Sequence, residues 1–208
     1  MKRFFFGLVV SWLVSLALGV PAAQAGDPET PSMLVDGLVH DAVTRLSVKG
    51  LPRTEREHVV RDLIARYSNQ EQLAQHVLGR SWASASDEER SQFANRFGDY
   101  VVALCSGMLK DVPADVKLVV KGEESHGDQV IVHSAFVETG GDKTNVDWSV
   151  ATTGDGHLFL SDVEADGVSL VRTMSSDFRA VLFANGGHIA ALLAEMSQKI
   201  SVAAAATD

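Results

Sequence analysis

Apolar residues change their spacing twice along this chain, and the change limits the folds that it can form. Up to Pro113 they recur every three or four positions, as in amphipathic helices, whereas from Val116 they alternate with polar residues, as in strands. The helical spacing returns after Asp166-Gly167. A helical half, a block of strands and a helical tail predict an α+β fold, in which helices pack on one face of an antiparallel sheet.

Capping signals mark where the first helices begin. Ser86 with Glu89 and Thr54 with Glu57 have the spacing of capping boxes, and Asn69 suits the start of a short helix between them. The helix after Ser86 is predicted to be long, because it carries one apolar stripe of five residues: Phe93, Phe97, Tyr100, Leu104 and Met108. The arginines of the helix after Thr54 are expected to face mostly water: Arg56, Arg61 and Arg66.

The strand block predicts a meander of about four strands that ends near Ala165. Its clearest strand has Val146, Trp148 and Val150 on one face, alternating with Asn145, Asp147 and Ser149 on the other. The segments 140–142 and 154–156 contain glycines that supply the positive φ angles of hairpin turns. One face of this sheet is expected to pack on helices, and the other to be wet or to line a cavity.

The N-terminus has the pattern of an export signal. Lys2 and Arg3 precede an apolar run from Phe4 to Val20, and Ala23-Gln24-Ala25 is a small-residue cleavage site. A retained membrane anchor is the alternative, but Pro21 and the small residues favour cleavage after Ala25. The sequence therefore predicts a cleaved signal peptide over residues 1–25, a single exported domain over 26–202 and a flexible tail over 203–208.

Charge and cysteine content exclude several classes of protein. Loss of Lys2 and Arg3 with the leader takes the formal net charge from −9 to −11, which argues against binding to nucleic acid or adsorption to anionic lipid. Cys105 is the only cysteine, so the chain has no disulfide framework. It lies beside the apolar stripe with no basic neighbour, and we expect a small buried hydrophobic residue rather than a nucleophile.

The sequence contains no recognisable catalytic or metal-binding motif. It has no HExxH, CxxC, GxSxG, Walker or GxGxxG pattern, and no two of its seven histidines are four residues apart. We therefore expect no catalytic residue, no metal and no cofactor. The alternative is an enzyme that uses Asp147, Asp162 or His133 as a base in a sheet-lined cleft, although a buried, hydrogen-bonded side chain is the favoured interpretation of His133.

Two segments carry a resemblance to a known family. Residues 162–171 read DVEADGVSLV and are followed by Thr173 and Phe178, while residues 77–82 read VLGRSW and are followed by Ser86 and the stripe from Phe93 to Phe97. Both segments, in this order, resemble the MlaC-type periplasmic phospholipid carriers, also called the toluene-tolerance family. The chain differs from the family pattern at Cys105 and Met174, where aromatic residues are common, and at Asp166, where glutamate is usual.

The resemblance implies a fold, a cargo and partners. The expected fold is an NTF2-like cone, in which a curved antiparallel sheet of four to five strands and the helices over it enclose an apolar cavity. Family members carry phospholipid between an outer-membrane lipoprotein complex and an inner-membrane ABC transporter with an MCE-domain ring, which maintains outer-membrane lipid asymmetry. A hopanoid-associated relative has the same fold and is an open alternative. We expect a monomer that binds these proteins and no nucleic acid.

The predicted lipid-binding residues come from the long helix, the sheet and the tail helix. Ordinary core packing is the competing interpretation of each of them. The set is Phe97, Val101, Leu104, Met108, Val132, Phe136, Val146, Trp148, Val150, Leu170, Met174, Phe178 and Val181. Arg80 and Arg172 are the candidates for contact with a headgroup or a docking partner, because they are the basic residues closest to the two family segments.

Overall fold

The computed structural model describes residues 30–137 and 143–205. The predicted signal peptide, the glycine turn at 140–142 and residues 206–208 lie outside these ranges. The helices and strands follow one another as α1 (Pro31–Leu46), α2 (Arg53–Tyr67), α3 (Gln70–Leu78), α4 (Arg80–Ser84), α5 (Asp87–Met108), β1 (Lys117–His126), β2 (Gln129–Val137), β3 (Lys143–Thr152), β4 (Leu158–Ala165), β5 (Val168–Ser169), α6 (Leu170–Ala184) and α7 (Ile189–Ala205).

Two of the three predicted helix caps are present. Ser86 and Glu89 form a complete capping box at the start of α5, and Asn69 Oδ1 accepts a hydrogen bond of 3.0 Å from the backbone N–H of Gln72 in α3. The capping box predicted at Thr54 is wrong. The cap position of α2 is Pro52, and the Glu57 carboxylate accepts instead from Arg53 Nε at 2.7 Å. Glu57 thus forms an ion pair within the helix instead of the hydrogen bond to the cap residue that a capping box requires.

The five strands form one antiparallel sheet in the order β1-β2-β3-β4-β5. The register shifts between Val120 and Gly122 of β1 and between Ser149 and Val150 of β3, and such bulges bend a sheet and increase its twist. The two edge strands are short or charged. β5 has two residues, and the half of β1 from Lys121 to His126 is exposed and rich in charged side chains. The result is an antiparallel sheet, as the alternation of apolar residues predicts, with the curvature that the family resemblance implies.

Buried apolar residues form two clusters. The sheet core joins the inward face of β2 and β3 to α1, α2 and Val102 of α5, whereas the helical core joins α3, α5, α6 and α7. Ile64 and Cys105 are partly buried and pack against both clusters. Helix α5 therefore lies between the two cores. Among the described residues, no helix has the length and apolar character needed to cross a membrane.

Arg56 is buried, which contradicts the expectation that it faces water. Only 5% of its surface is exposed, and it donates from Nε to the Ser106 carbonyl at 2.9 Å and from Nη1 to the Leu51 carbonyl at 3.3 Å. Ser106 lies in the last turn of α5, where carbonyls have no partner within the helix and attract a cation. Arg53 likewise donates to the Ala204 carbonyl near the end of α7, which continues through Ala205.

Replacing Arg56 with methionine should lower the free energy of unfolding by about 2 kcal/mol, because two carbonyls lose a charged donor in a buried place. Arg61→Met is the matched control on the same helix, since Arg61 is exposed and forms a surface ion pair with Asp99. The control should cost less than about 1 kcal/mol. Urea unfolding of the two variants measures both values, and equal losses would contradict the structural role of Arg56.

Candidate functional site

The inward face of the sheet centres on Trp148. Val132 lies directly opposite it on β2 and Val163 on β4, and residues opposite each other in an antiparallel pair share a face. The Trp148 indole N–H donates to Ser134 Oγ at 2.8 Å, and that hydroxyl donates to the Val146 carbonyl at 2.8 Å. Both polar groups are thus satisfied inside the core, and the indole is fixed with its apolar surface toward the helices.

Apolar side chains around this centre keep part of their surface accessible. They occupy inward positions on β1, β2 and β4, where they pack on the sheet core but are only partly buried. This accessible set is Leu118, Val120, Phe136, Leu158, Leu160 and Val163. The sheet–helix junction therefore presents open apolar surface next to a buried tryptophan, which is the surface that an aliphatic ligand needs.

The predicted lipid-binding residues are divided between the two cores. The sheet core contains Val132, Phe136, Val146, Trp148 and Val150, whereas the helical core contains Phe97, Val101, Leu104, Leu170, Met174, Phe178 and Val181. Met108 belongs to neither and is 68% exposed at the end of α5. The structure thus brings the two groups to the same domain but not to one surface.

Aromatic packing explains the helical group. Phe97 and Phe178 are almost completely buried, and their rings contact each other and the ring of Phe93 in stacked and edge-to-face arrangements with centroids 5.7 to 6.4 Å apart. Side chains packed in this way fill the helical core. Sequence reasoning missed the residues of α1 and α2 that cover the sheet, such as Leu38 and Ile64. Their helical spacing was readable, but no local signal says which helices lie over which face.

Cys105 lies at the junction of the two cores. Burial raises the pKa of its thiol to about 11, so the thiol is protonated and unreactive at neutral pH. This agrees with its interpretation as a small hydrophobic residue. Because Cys105 packs against both clusters and is partly exposed, its thiol can report chemically on the place where the two cores meet.

His133 and Asp147 face away from the helices. They lie opposite each other on β2 and β3, with His133 Nδ1 2.8 Å from Asp147 Oδ1 and His133 Nε2 3.5 Å from Glu124 Oε2. The hydrogen bond with Asp147 raises the pKa of His133 above its ordinary value. Each of these residues directly follows or precedes an inward residue, so alternation places both outside the sheet–helix junction. His133 is hydrogen-bonded as expected, but it is not buried.

Asp162 has a structural role in the second family segment. Its Oδ1 accepts from the backbone N–H of Val171 at 3.0 Å, and its Oδ2 accepts from the hydroxyl of Ser169, the cap residue of α6. Asp166 and Gly167, with φ of 46° and 84°, form the two-residue turn between β4 and β5. The segment is therefore a strand–turn–helix junction, and both oxygens of Asp162 are engaged in it.

The two candidate arginines lie at the starts of two different helices. Arg172, in the first turn of α6, pairs with Glu164 and has a side chain that is 69% exposed. Arg80 is exposed at the start of α4 and follows Gly79, whose φ of 57° and ψ of −127° require a glycine. Arg80 forms no hydrogen bond or ion pair with any residue that the structure describes. Both arginines are accessible from solvent, but Arg172 is already paired with Glu164.

This architecture defines a mixed helix-and-sheet protein, in which helices cover one face of an open, curved, five-stranded antiparallel sheet and an apolar junction lies between them. The chain belongs to the MlaC family, because the family model described as MlaC protein matches residues 38–198. The family and the α+β fold predicted from the sequence are thereby confirmed.

A solved structure with a similar fold is a phospholipid-binding protein from Ralstonia solanacearum, in complex with a phospholipid. The two chains are 20% identical and superpose with a TM-score of 0.72 over 82% of this chain and 97% of that one. The comparison with curated proteins gives no match.

Asp147→Asn should lower the pKa of His133 toward its ordinary value near 6.5, because the hydrogen-bonded carboxylate is the largest cause of the increase. A pKa raised in the folded state stabilises the protein fully below the unfolded value, and this stability is lost as pH rises through the folded value. Titration of the His133 ring resonances by NMR measures the shift. Asp36→Asn, an exposed change on α1, is the control and should leave the titration unchanged.

Proposed function

We propose that this protein is a periplasmic phospholipid carrier and not an enzyme. Membership of the MlaC family supports the proposal, as does the likeness of its fold to a phospholipid-binding protein. The observation that carries it is the accessible apolar surface on the inward face of the sheet, next to Trp148 and Val150. The three candidate bases give the rival enzyme no support, because two face outward and Asp162 caps α6.

The physical requirement on a carrier is large. Each methylene removed from water is worth about 0.8 kcal/mol, so a 16-carbon acyl chain exposed to water costs roughly 12 kcal/mol. A periplasmic carrier has to cover whole acyl chains, whereas a charged headgroup is best left wet at the entrance. We place the acyl chains against the sheet core. The predicted residues that belong to the helical core then pack on the other side of α5 and support the site through this helix.

The proposed cycle connects two membranes. The N-terminal signal pattern supports export with cleavage after Ala25, and the family resemblance supports shuttling between an outer-membrane lipoprotein complex and an inner-membrane ABC transporter with an MCE-domain ring. Transport of this kind maintains outer-membrane lipid asymmetry. A shuttle needs fast release, so we expect weak, salt-sensitive binding of a monomer to each protein, with Arg80 and Arg172 as candidate contacts for docking or the headgroup.

A hopanoid is the alternative cargo within the same fold. Cys105 and Met174 replace aromatic residues that are common in the family, and Cys105 packs directly against the sheet core. A smaller side chain there leaves more room at the junction for a rigid ring system. The identity of the bound lipid decides between the two cargoes.

Native mass spectrometry of the protein isolated from the periplasm of a Gram-negative host tests the carrier proposal. We expect phospholipid bound at about one molecule per chain, since the sheet offers one inward apolar face. A co-purified hopanoid would replace the phospholipid assignment with the alternative cargo. Protein that is empty after gentle preparation would contradict carriage of either lipid.

Charged substitutions test where the acyl chains lie. Trp148→Arg, Val150→Arg and Val163→Arg should abolish lipid loading, because an unpaired charge opposes the acyl chains. Val163 is partly exposed, so its variant is expected to keep the fold even if those at Trp148 and Val150 do not. Ser149→Arg is the matched control, since Ser149 lies between two target residues on the opposite face. A folded Val163→Arg variant that still co-purifies lipid would contradict the assignment to the sheet core.

Alkylation of Cys105, the single cysteine, tests the proposed lipid site without a mutation. Alkylation of Cys105 by a small reagent at alkaline pH should be slower in lipid-loaded protein than in delipidated protein, because cargo at the junction covers a partly exposed thiol. Mass spectrometry follows the reaction, and protein unfolded in urea gives the unprotected rate. Equal rates in the two folded samples would place the cargo away from the junction.

A further inference from the structure

Phe183 is the most exposed large apolar residue among those that the structure describes. Its side chain is 92% exposed near the end of α6, whereas Phe178 on the same helix is 2% exposed in the helical core. Burying a phenylalanine side chain removes a large apolar area from water, so full exposure is costly. A helix that packs one aromatic ring and presents another to solvent has a face that its own domain does not cover.

The exposed face of α6 combines this ring with positive charge. Arg172, Ser176, Arg179 and Phe183 follow one another at steps of four, three and four residues, so they form one stripe along the helix. Arg179 donates from Nε to the Ser175 carbonyl of its own helix, and no described carboxylate pairs with it. Within residues 30–137 and 143–205, the acidic partner of the stripe is Glu164, which pairs with Arg172. We call these four residues the α6 stripe.

The surroundings of Phe183 make it a protrusion rather than part of a groove. Ala180 and Ala184 flank it on the helix, and the helix ends before Gly186 and Gly187. Apart from Arg179 of the stripe, the residues beside the ring on the exposed face of α6 are small, so no second large apolar side chain of this helix forms a groove with it. A single projecting ring beside an unpaired arginine suits the boundary between headgroups and acyl chains of a bilayer, which accepts apolar side chains without a preformed pocket.

We propose that the α6 stripe docks the protein on an anionic phospholipid membrane surface, with Phe183 inserted at the headgroup boundary and Arg179 and Arg172 toward lipid phosphates. Basic residues beside an apolar anchor are the composition of an interfacial helix face. The negative net charge of the chain does not prevent this contact, because charges beyond about 8 Å are screened at physiological ionic strength. The unpaired charge of Arg179 therefore sets the sign of the field at the point of contact, since Arg172 and Glu164 together are neutral.

Vesicle sedimentation of the exported protein tests the proposal. The protein should sediment with vesicles of phosphatidylcholine and phosphatidylglycerol more than with vesicles of phosphatidylcholine alone. Phe183→Ser should weaken binding about tenfold and Arg179→Gln about fivefold, whereas Phe183→Trp should retain it. Val48→Ser and Arg96→Gln are matched controls, since both residues are exposed outside α6, and they should bind as the parent protein does.

Lipid content measured on the same samples separates docking from carriage. Phe183 contacts neither core, so its variants should keep their cargo while losing vesicle binding. Absence of sedimentation with anionic vesicles, or equal binding by Phe183→Ser and the parent protein, would overturn the membrane proposal. Either result would leave the stripe as a surface for a protein partner.

Discussion

Strict alternation along the central strands is the constraint on which the rest of this structure depends. In β3 it directs Val146, Trp148 and Val150 toward the helices and Asp147 toward solvent, and the register carries the same division across β2 and β4. A shift of one residue would bury Asp147 and expose Trp148. The hydrogen bond from Trp148 to Ser134 and the pair of His133 with Asp147 fix the register from opposite faces of the sheet.

Local signals in the sequence were sufficient for much of the fold, and long-range packing was not readable from them. Ser86 and Asn69 cap the helices predicted to follow them, because a cap depends on residues three positions apart. The same spacing failed at Thr54, where Glu57 pairs with Arg53 instead. Arg56 donates to a carbonyl 50 positions away and His133 bonds to a carboxylate 14 positions away, and no local pattern indicates either partner. For the same reason the predicted lipid-binding residues combined two cores, since apolar spacing identifies an inward face without saying what lies over it.

The segments that carry the family resemblance are connections between helices and strands rather than sites of reactive groups. Asp162 and Ser169 hold the first turn of α6 against β4, and Gly79 permits the sharp change of direction between α3 and α4. Backbone geometry of this kind tolerates few residue types, which makes the segments recognisable. The apolar surface that is expected to meet the cargo tolerates many, so it has no comparable signature.

The edges of the sheet affect whether one molecule can pair with another. An open edge strand is a template for pairing with another molecule, and the ten residues of β1 pair with no further strand of the described chain on their outer side. Lysines at 117 and 121, glutamates at 123 and 124 and the bulge beside Gly122 make this edge charged and irregular, while β5 is too short to extend. The β1 edge of this open sheet is therefore a poor template for intermolecular β-pairing and aggregation.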